Sequence, residues 1–321
     1  MSQKVKVLQN DILMYQNLLQ ANEAGLHKVM HKFLKGKYNT IIHTKEYTIA
    51  VGDIPIALVA HMDTVFKFPP TTDMLYFDQE KHVMWSPNGC GHDDRAGIFA
   101  IIQIINMGLR PSVILTTGEE QGGIGAMAIV EDYPACPIKD LKFMIELDRQ
   151  GEDDCVFYQC ANENFFKYIK KFGFIKRKGS YSDISFLMSM WEICGVNLSV
   201  GYFDEHTYAE YLNYDYLWNT IHKVVNILKQ DNIPNFKYKE VRFNKQDAYV
   251  PCDKCQTLTS LKNAFKVKLP ENGFEYRCCN CIADPMIMFC GHCGDPFIGG
   301  SDEFYCETCL AEKESVINFV F

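Results

Sequence analysis

The amino-acid sequence predicts an α/β fold with a mostly parallel central sheet flanked by helices, followed by a small cysteine-rich tail. Three observations support this prediction. Strand-like apolar runs alternate with helical patterns over the first 230 residues, 47% of the 321 residues are hydrophobic, and nine of the 14 cysteines follow residue 250. Alternating strands and helices indicate a sheet that helices cover on both faces, and this length allows two domains. We expect one domain over 1–232, a linker over 233–250 and a second domain over 251–321.

The hydrophobic pattern predicts each element in turn. Apolar residues at mostly helical spacing indicate a long N-terminal helix from residue 8 to about 35, broken near Gly25. The short runs TIIHT and YTIAV read as strands, and the continuous apolar run IPIALVAH is typical of a buried central strand. A helix follows Asp94 and ends at Gly108. We expect further strands over 112–117, 142–148, 156–160 and 193–201, a short helix over GAMAIVEDY and a closing helix over 205–230.

Composition excludes several classes of protein. The 32 basic and 40 acidic residues give a net charge of -8, which provides no general attraction for nucleic acid. No run reaches the roughly 18 apolar residues of a membrane helix, and the first residues lack the order of a secretory signal. We therefore expect a cytoplasmic protein without a membrane or nucleic-acid partner. The five scattered cysteines before residue 250 are expected to be small buried hydrophobes.

Polar residues that can bind metal follow the ends of the apolar strands. In parallel α/β sheets such side chains meet beyond the carboxyl ends of the strands. Imidazole and carboxylate groups suit zinc, cobalt or manganese, and a pair of cations needs one carboxylate that bridges them. Each residue alone has a structural explanation, such as an N-cap at Asp93-Asp94, but together they predict a metal site. The residues are His61, Asp63, Asp93, Glu119, Glu120, Asp148 and His206.

Five motifs carry a resemblance to a known family. They occur in the order H-M-D-T-V, G-H-D-D-R-A-G, G-E-E-Q-G-G-I-G-A, E-L-D and V-G-Y-F-D-E-H-T-Y-A-E within residues 1–230. This series resembles the dinuclear zinc exopeptidase superfamily, which includes aminopeptidases, tripeptidase-type enzymes, carboxypeptidase G and aminoacylases. The resemblance implies a hydrolase of peptide or acyl-amide bonds, and the motifs do not identify the subfamily.

The resemblance also implies which residues bind the two catalytic metals. His61 and Asp148 would bind one cation, Glu120 and His206 the other, and Asp93 would bridge both. Zinc is the expected metal, with cobalt or manganese as alternatives.

Two further roles follow from the same resemblance. Asp63 would orient His61 through its other ring nitrogen. Glu119 would act as the general base, taking a proton from the bridging water and passing it to the leaving amine. Asp94 is expected to be a neighbour rather than a ligand. Ser182-Asp183 resembles a substrate-side element of related enzymes, and a helix cap explains it equally well.

Spacing indicates what the first domain lacks. Family members with a lid or dimerisation domain insert about a hundred residues in one of two gaps. Here 32 residues separate His61 from Asp93, and 58 separate Asp148 from His206. Neither gap holds such an insertion, so we expect a compact catalytic domain.

The sequence is compatible with three functions. An aminopeptidase needs a carboxylate near the metals for the free amine of its peptide substrate. An N-acyl amino acid deacylase needs an arginine for the substrate carboxylate, and Arg95 and Arg149 lie near the motifs. A non-catalytic adaptor that acts through its tail is disfavoured because every expected metal and base position is filled. The aminopeptidase-type exopeptidase is the leading prediction.

The tail contains four C-x-x-C pairs, and two such pairs complete a four-sulfur zinc site. Sequential pairing gives two zinc ribbons with two structural zinc ions, whereas pairing first with third and second with fourth gives an interleaved module. We favour the sequential arrangement because the third and fourth pairs are only 13 residues apart. Cys279 and His292 are bystanders or alternative ligands. The eight predicted ligands are Cys252, Cys255, Cys278, Cys281, Cys290, Cys293, Cys306 and Cys309.

The charge of the tail favours a protein contact over a nucleic-acid contact. Residues 251–321 contain six Lys and Arg against ten Asp and Glu, which does not favour phosphate binding. We expect the tail to bind a partner protein, to mediate self-association, or to cover the active site.

Overall fold

The computed structural model describes residues 9–179, 181–240, 249–260, 263–269, 274–278, 281–282, 286–291, 293–298 and 306. The chain divides into two compact units between residues 241 and 242. The helices of the first unit are α1 (Gln9–Gln20), α2 (Glu23–Lys35), α3 (His92–Asn106), α4 (Ile124–Asp132), α5 (Glu163–Lys170), α6 (Asp183–Trp191) and α7 (Tyr214–Leu228). Its strands are β1 (Thr40–His43), β2 (Tyr47–Val51), β3 (Ile54–His61), β4 (Tyr76–Asp78), β5 (Val83–Trp85), β6 (Pro111–Thr116), β7 (Phe143–Arg149), β8 (Asp154–Val156), β9 (Ile175–Lys176), β10 (Cys194–Ser199), β11 (Tyr202–Phe203) and β12 (Tyr211–Asn213).

The central sheet has eight strands in the order β1-β2-β6-β3-β7-β10-β8-β9. Its middle four strands, β6, β3, β7 and β10, are parallel, while β1 and β2 pair antiparallel at one side and β8 pairs antiparallel with β10 at the other. Parallel strands joined by helices are the pattern that the sequence predicts, and the α/β fold class is confirmed. The carboxyl ends of β6, β3 and β7 therefore lie side by side.

Helices cover both faces of this sheet. Successive side chains of a strand point to opposite faces, and every residue of β3 from Ile56 to His61 is buried. Helices α1 and α7 pack on α3, α4 packs on α6, and both α3 and α6 lie against β3 and β7. Within the described residues, no helix is long and apolar enough to span a bilayer.

The N-terminal helical region breaks earlier than expected. The break falls at residues 21 and 22, between α1 and α2, rather than near Gly25. The side chain of Asn22 is the reason, because it caps α2 by accepting a hydrogen bond from the backbone N–H of Gly25 at 2.8 Å. Gly25 is thus part of the cap of the second helix.

A second sheet replaces the first third of the predicted closing helix. Strands β11, β12, β5 and β4 form a four-stranded antiparallel sheet, and α7 begins only at Tyr214. Asn213 caps α7 by accepting from the backbone N–H groups of Asp215 and Tyr216. The helix prediction over 205–230 is therefore wrong for residues 205–213.

The strand predicted over 156–160 is shifted toward the N-terminus. Strand β8 covers Asp154–Val156, and Tyr158 has a positive φ of 43°, which ends extended pairing. The other predicted strands overlap observed ones. Of the five cysteines before residue 250, four are buried and Cys136 is partly exposed.

Residues 233–240 of the predicted linker pack against the rest of the first unit. Ile233 is buried in its core, and the backbone of Lys237 accepts a hydrogen bond from Nδ2 of Asn162 at 2.7 Å. The backbone N–H of Ala161 donates to the carbonyl of Lys239 at 2.7 Å. The first unit therefore extends past residue 232.

The second unit contains short strands in two sheets. Strands β13 (Tyr249–Pro251) and β14 (Leu258–Ser260) form a hairpin. Strands β15 (Phe265–Lys268), β16 (Phe274–Arg277), β17 (Ile287–Phe289) and β18 (Pro296–Ile298) form a sheet in the order β16-β15-β18-β17. Its described apolar cluster is small, consisting of Cys290, Phe297 and Cys306 with Met288 against them.

Candidate metal centre

The predicted metal ligands of the first unit converge at the carboxyl edge of the parallel strands. His61 is the last residue of β3, Asp148 is the second-to-last residue of β7, and Glu120 follows β6. Asp93 lies at the start of α3, and His206 lies in the loop between β11 and β12. Residues far apart in sequence meet here because parallel strands deliver their carboxyl ends to one edge of the sheet.

The two carboxylate oxygens of Asp93 face two different histidines. Oδ1 of Asp93 lies 2.9 Å from Nε2 of His61, and Oδ2 lies 3.1 Å from Nε2 of His206. Each histidine also faces a second carboxylate: Nε2 of His61 is 3.4 Å from Oδ1 of Asp148, and Nε2 of His206 is 2.9 Å from Oε1 of Glu120. Asp93 thus stands between two groups, each with one imidazole and one further carboxylate.

Asp63 links this cluster to the predicted base. Its Oδ1 lies 3.3 Å from Nδ1 of His61, the ring nitrogen that does not face Asp93. Its two oxygens also accept hydrogen bonds from the backbone N–H groups of Glu119 and Glu120, each at 3.1 Å. One buried carboxylate therefore holds an imidazole and the segment that carries both glutamates.

Electrostatics of the cluster favour charged histidines. Burial lowers the pKa of His61, but Asp148, Asp63 and Asp93 outweigh it and raise that pKa well above the usual value. Burial is likewise outweighed at His206, where Asp93 and Glu120 raise the pKa to about 12. The carboxylates around both imidazoles therefore make this edge a place where positive charge, such as that of a bound cation, is stabilised.

The carboxylates respond in opposite directions. Burial raises the pKa of Asp93, but hydrogen bonds from His206 and His61 outweigh it and hold that pKa well below its usual range. Burial raises the pKa of Glu119 to about 10, with His61 opposing and Asp148 adding to the increase. Burial and the charge of Asp93 also raise the pKa of Glu120 and Asp148.

This donor set fits divalent cations. The ligand atoms of His61, Asp93 and Glu120 lie within 4.8 Å of one another. Oε1 of Glu120 is buried and makes no hydrogen bond within the described part of the chain, although Nε2 of His206 is close to it. Cations bound between these groups would offset the repulsion among their carboxylates, and imidazole with carboxylate is a common ligand set for zinc.

Asp94 has a different environment from Asp93. Its Oδ2 accepts a hydrogen bond from the backbone N–H of His61 at 3.3 Å, and its Oδ1 accepts one from Gly97 at 2.8 Å. It also lies in a second group of close ligand atoms with His61 and Asp148. A Cβ at Gly97 would lie 2.2 Å from the carbonyl oxygen of Leu147, so this position requires glycine. The backbone bonds of Asp94 favour a supporting role.

Glu210 is a buried residue that sequence reasoning missed. Its Oε2 accepts the backbone N–H groups of Cys90 and Gly91 at 3.2 and 2.6 Å, and its Oε1 accepts that of Asp93 at 3.1 Å. It therefore fixes the turn that presents Asp93. The sequence signal that could have identified Glu210 is its place in the last motif, four residues after His206.

Two hydroxyl groups donate hydrogen bonds to the carboxylate of Asp148. The hydroxyl of Ser182 donates to Oδ2 of Asp148 at 2.9 Å, and that of Tyr202 donates to Oδ1 at 3.1 Å. Ser182 is also the N-cap of α6, so the two explanations of Ser182 given by the sequence are compatible. Asp183 is buried and accepts a short hydrogen bond from the hydroxyl of Thr116.

Arg95 and Arg149 differ in their partners. The guanidinium of Arg95 is buried and donates to the carbonyl oxygens of Leu18, Ala21 and Met62. Nε of Arg149 is buried and has no hydrogen-bond partner within the described residues. Arg95 therefore ties the N-terminal helices to the strand end, while Arg149 has an unused donor.

The cysteines of the second unit form two groups. The sulfur atoms of Cys252, Cys255, Cys278 and Cys281 lie within 4.8 Å of one another, as do those of Cys290, Cys293 and Cys306. The predicted eighth ligand, Cys309, and the bystanders Cys279 and His292 lie outside the described residues. Both groups join consecutive C-x-x-C pairs, as in the sequential arrangement. Nζ of Lys268 lies 3.4 Å from the sulfur of Cys293 and 3.5 Å from that of Cys306.

Comparison with known proteins shows the same fold among peptidases. No protein-family model matches the sequence, and the search of curated proteins finds no match. A tripeptidase from Staphylococcus aureus aligns with a TM-score of 0.55 at 13% identity, covering 69% of this chain and 97% of the tripeptidase. A TET aminopeptidase from a marine-sediment thaumarchaeon aligns with a TM-score of 0.54 at 12% identity, covering 70% and 98%. Aminopeptidase PepT from Bacillus cereus aligns with a TM-score of 0.52 at 15% identity, covering 68% of this chain and 97% of the PepT chain.

Proposed function

We propose that this chain is a metal-dependent exopeptidase of the aminopeptidase type. The observation that supports it most is the position of Asp93, whose two oxygens face His61 and His206 at 2.9 and 3.1 Å. The chain also shares its fold with a tripeptidase and two aminopeptidases. A carboxylate between two imidazole and carboxylate groups is the arrangement needed to hold a pair of divalent cations.

In this proposal, the five ligands divide between two cations. His61 and Asp148 would bind one, His206 and Glu120 would bind the other, and Asp93 would bind both. Zinc is the expected metal, with cobalt or manganese as alternatives. Bound divalent cations supply Lewis acidity at the scissile carbonyl and increase the acidity of water.

Glu119 and Asp63 complete the proposed machinery. Glu119 takes a proton from the attacking water and returns it to the leaving amine. Burial raises the pKa of the Glu119 carboxyl, and cations bound at the neighbouring ligands would lower it again, which would keep the carboxylate ionised and able to accept a proton. Asp63 orients the ring of His61 and accepts the backbone N–H of Glu119, so it aligns ligand and base together.

A second candidate function is the hydrolysis of N-acyl amino acids. The buried, unpartnered Nε of Arg149 supports it, because such a donor could bind a substrate carboxylate. Arg95 does not serve this purpose, since its guanidinium donates to backbone carbonyls.

We also propose that the tail binds two structural zinc ions. Cys252, Cys255, Cys278 and Cys281 would form one site, and Cys290, Cys293, Cys306 and Cys309 the other. A reducing compartment such as the cytoplasm belongs to this proposal, because the thiols must stay reduced. Binding of a partner protein or self-association through the tail is the proposed role. A TET1 peptidase of similar fold from Pyrococcus horikoshii assembles into a tetrahedron or an octahedral shell.

A substrate screen with metal counting tests the proposal. Aminoacyl p-nitroanilides and N-acyl amino acids would be offered to the protein with added zinc, cobalt or manganese. We expect hydrolysis of the anilides, abolished by chelation, and about four metal ions per chain, from two catalytic and two structural sites. About two ions per chain with no hydrolysis of any substrate would indicate a non-catalytic adaptor and contradict the proposal.

A further inference from the structure

Glu205 is a carboxylate beside the metal centre that the proposed mechanism does not use. It directly precedes His206, and it is partly buried. Asp93 and His206 are among its charged neighbours, and Arg149 is another. Within the described residues, no Lys, Arg or His forms an ion pair with Glu205, and its carboxylate is not part of either group of close ligand atoms.

The backbone fixes the direction of Glu205. Asp204 and His206, on either side of it, both adopt left-handed conformations, with φ of 53° and 63°. The hydroxyl of Thr207 donates to the carbonyl of Asp204 at 2.7 Å and accepts the backbone N–H of Ala209 at 3.1 Å. Non-glycine residues in this sparsely populated region, here one on each side of Glu205, persist only where the surroundings hold them. The loop therefore presents His206 and Glu205 as one rigid unit.

A second rigid segment holds the carboxylate. Nε2 of Gln150 donates to Oε1 of Glu205 at 2.6 Å. Gln150 follows β7, where the hydroxyl of Ser199 donates to its carbonyl at 2.7 Å. The backbone N–H of the next residue, Gly151, donates to the carbonyl of Tyr202 at 2.8 Å. Among the described residues, the side chain that donates a hydrogen bond to Glu205 is thus a neutral amide, which positions the carboxylate without supplying a positive charge.

We infer that Glu205, positioned by Gln150, binds an ammonium group of the substrate. This inference rests on the proposed function and deepens it, because a carboxylate next to the cations selects substrates with a free amine over N-acylated ones. A partly buried carboxylate that is hydrogen-bonded to a neutral amide gains a charge-assisted hydrogen bond when an ammonium group binds. The ammonium group is either the α-amine of the terminal residue or a basic side chain at that position.

Binding measurements without turnover test the inference. The zinc-loaded Glu119→Gln protein, with and without Glu205→Gln, would be titrated with leucine p-nitroanilide, its N-acetyl derivative and lysine p-nitroanilide. If Glu205 binds the α-amine, Glu205→Gln weakens binding of both free-amine anilides at least tenfold and changes the N-acetyl derivative less than twofold. If it binds a side chain, only lysine p-nitroanilide is weakened. Metal content should stay the same in both proteins.

A matched control removes the same charge nearby. Glu152 is exposed in the loop that follows Gln150, so Glu152→Gln should leave all three affinities unchanged. Equal binding of the free-amine anilides with and without Glu205→Gln would overturn the inference. The binding measurements do not depend on hydrolysis. A wild-type protein that hydrolyses none of the substrates would contradict the proposed function, and the titrations would still test whether Glu205 binds the ammonium group.

Discussion

The two candidate metal-binding regions of this molecule differ in what holds their side chains. In the first unit, the candidate ligands lie at the ends of strands such as β3, whose residues are buried, or in the segments that follow and face those ends. In the second unit, the described apolar cluster contains only Cys290, Phe297, Cys306 and Met288. A large core can position side chains before any cation binds, whereas small cysteine-rich units commonly depend on bound metal to fold, and we expect this of the second unit.

Hydrogen bonds strengthen this difference. Asp148 is held in both directions by Asn197, which accepts from its backbone N–H at 3.0 Å and donates to its carbonyl at 2.8 Å. Glu210 fixes the turn at Asp93, and Asp63 fixes the segment of Glu119 and Glu120. The candidate ligands of the first unit are therefore preorganised by protein groups, so we expect cations bound there to contribute little to folding.

The largest expected effect comes from the base. Glu119→Gln keeps the size and the backbone contact to Asp63 but cannot accept a proton, so kcat should fall about 10²- to 10⁴-fold. Metal content and thermal unfolding should match the wild type. The exposed Glu80→Gln is the matched control and should keep full kcat. Normal turnover in Glu119→Gln would remove this residue from the mechanism.

Loss of one cysteine ligand in the tail should destabilise the second unit and leave the first unit unchanged. Cys252→Ser leaves its zinc site with three thiolates, so we expect the loss of about one zinc ion and faster hydrogen exchange throughout the second unit. The first unit should keep its exchange protection. Cys136→Ser, which replaces a cysteine outside both cysteine groups, serves as the control. Unchanged zinc content and exchange in Cys252→Ser would show that this cysteine does not bind metal.

A smaller effect is expected from the residue that orients His61. Asp63→Asn keeps the shape but weakens the contact with Nδ1 of His61, and loss of such an orienting group typically lowers metal affinity about 10- to 100-fold. Competition with a chelator would measure it, and the far-ultraviolet spectrum should not change. The exposed Asp53→Asn is the control. Equal metal affinity in both variants would contradict an orienting role for Asp63.

The sequence predicts most of the first unit because its signals are local. The strands that end at His61, Thr116 and Arg149 are long apolar runs, and a polar residue after such a run must lie at the sheet edge. The side chains at these ends therefore reach one place, as the distances around Asp93 show.

Other features depend on contacts between distant segments. Strands β4, β5, β11 and β12 have two or three residues each, too few for a periodic pattern to distinguish them from a helix or a loop. Glu210 looks like a surface glutamate in the sequence, and only the fold brings the backbone of Cys90, Gly91 and Asp93 to it. The pairing of residues 233–240 with the first unit is likewise a long-range contact.

X-ray diffraction at the zinc absorption edge would test the central claim most directly. Crystals of the zinc-loaded protein should show two anomalous peaks about 3.5 to 4 Å apart, with one oxygen of Asp93 on each. His61 and Asp148 should bind one ion, and His206 and Glu120 the other. A single peak, or none, among these five side chains when the tail cysteines are occupied by zinc would contradict the account.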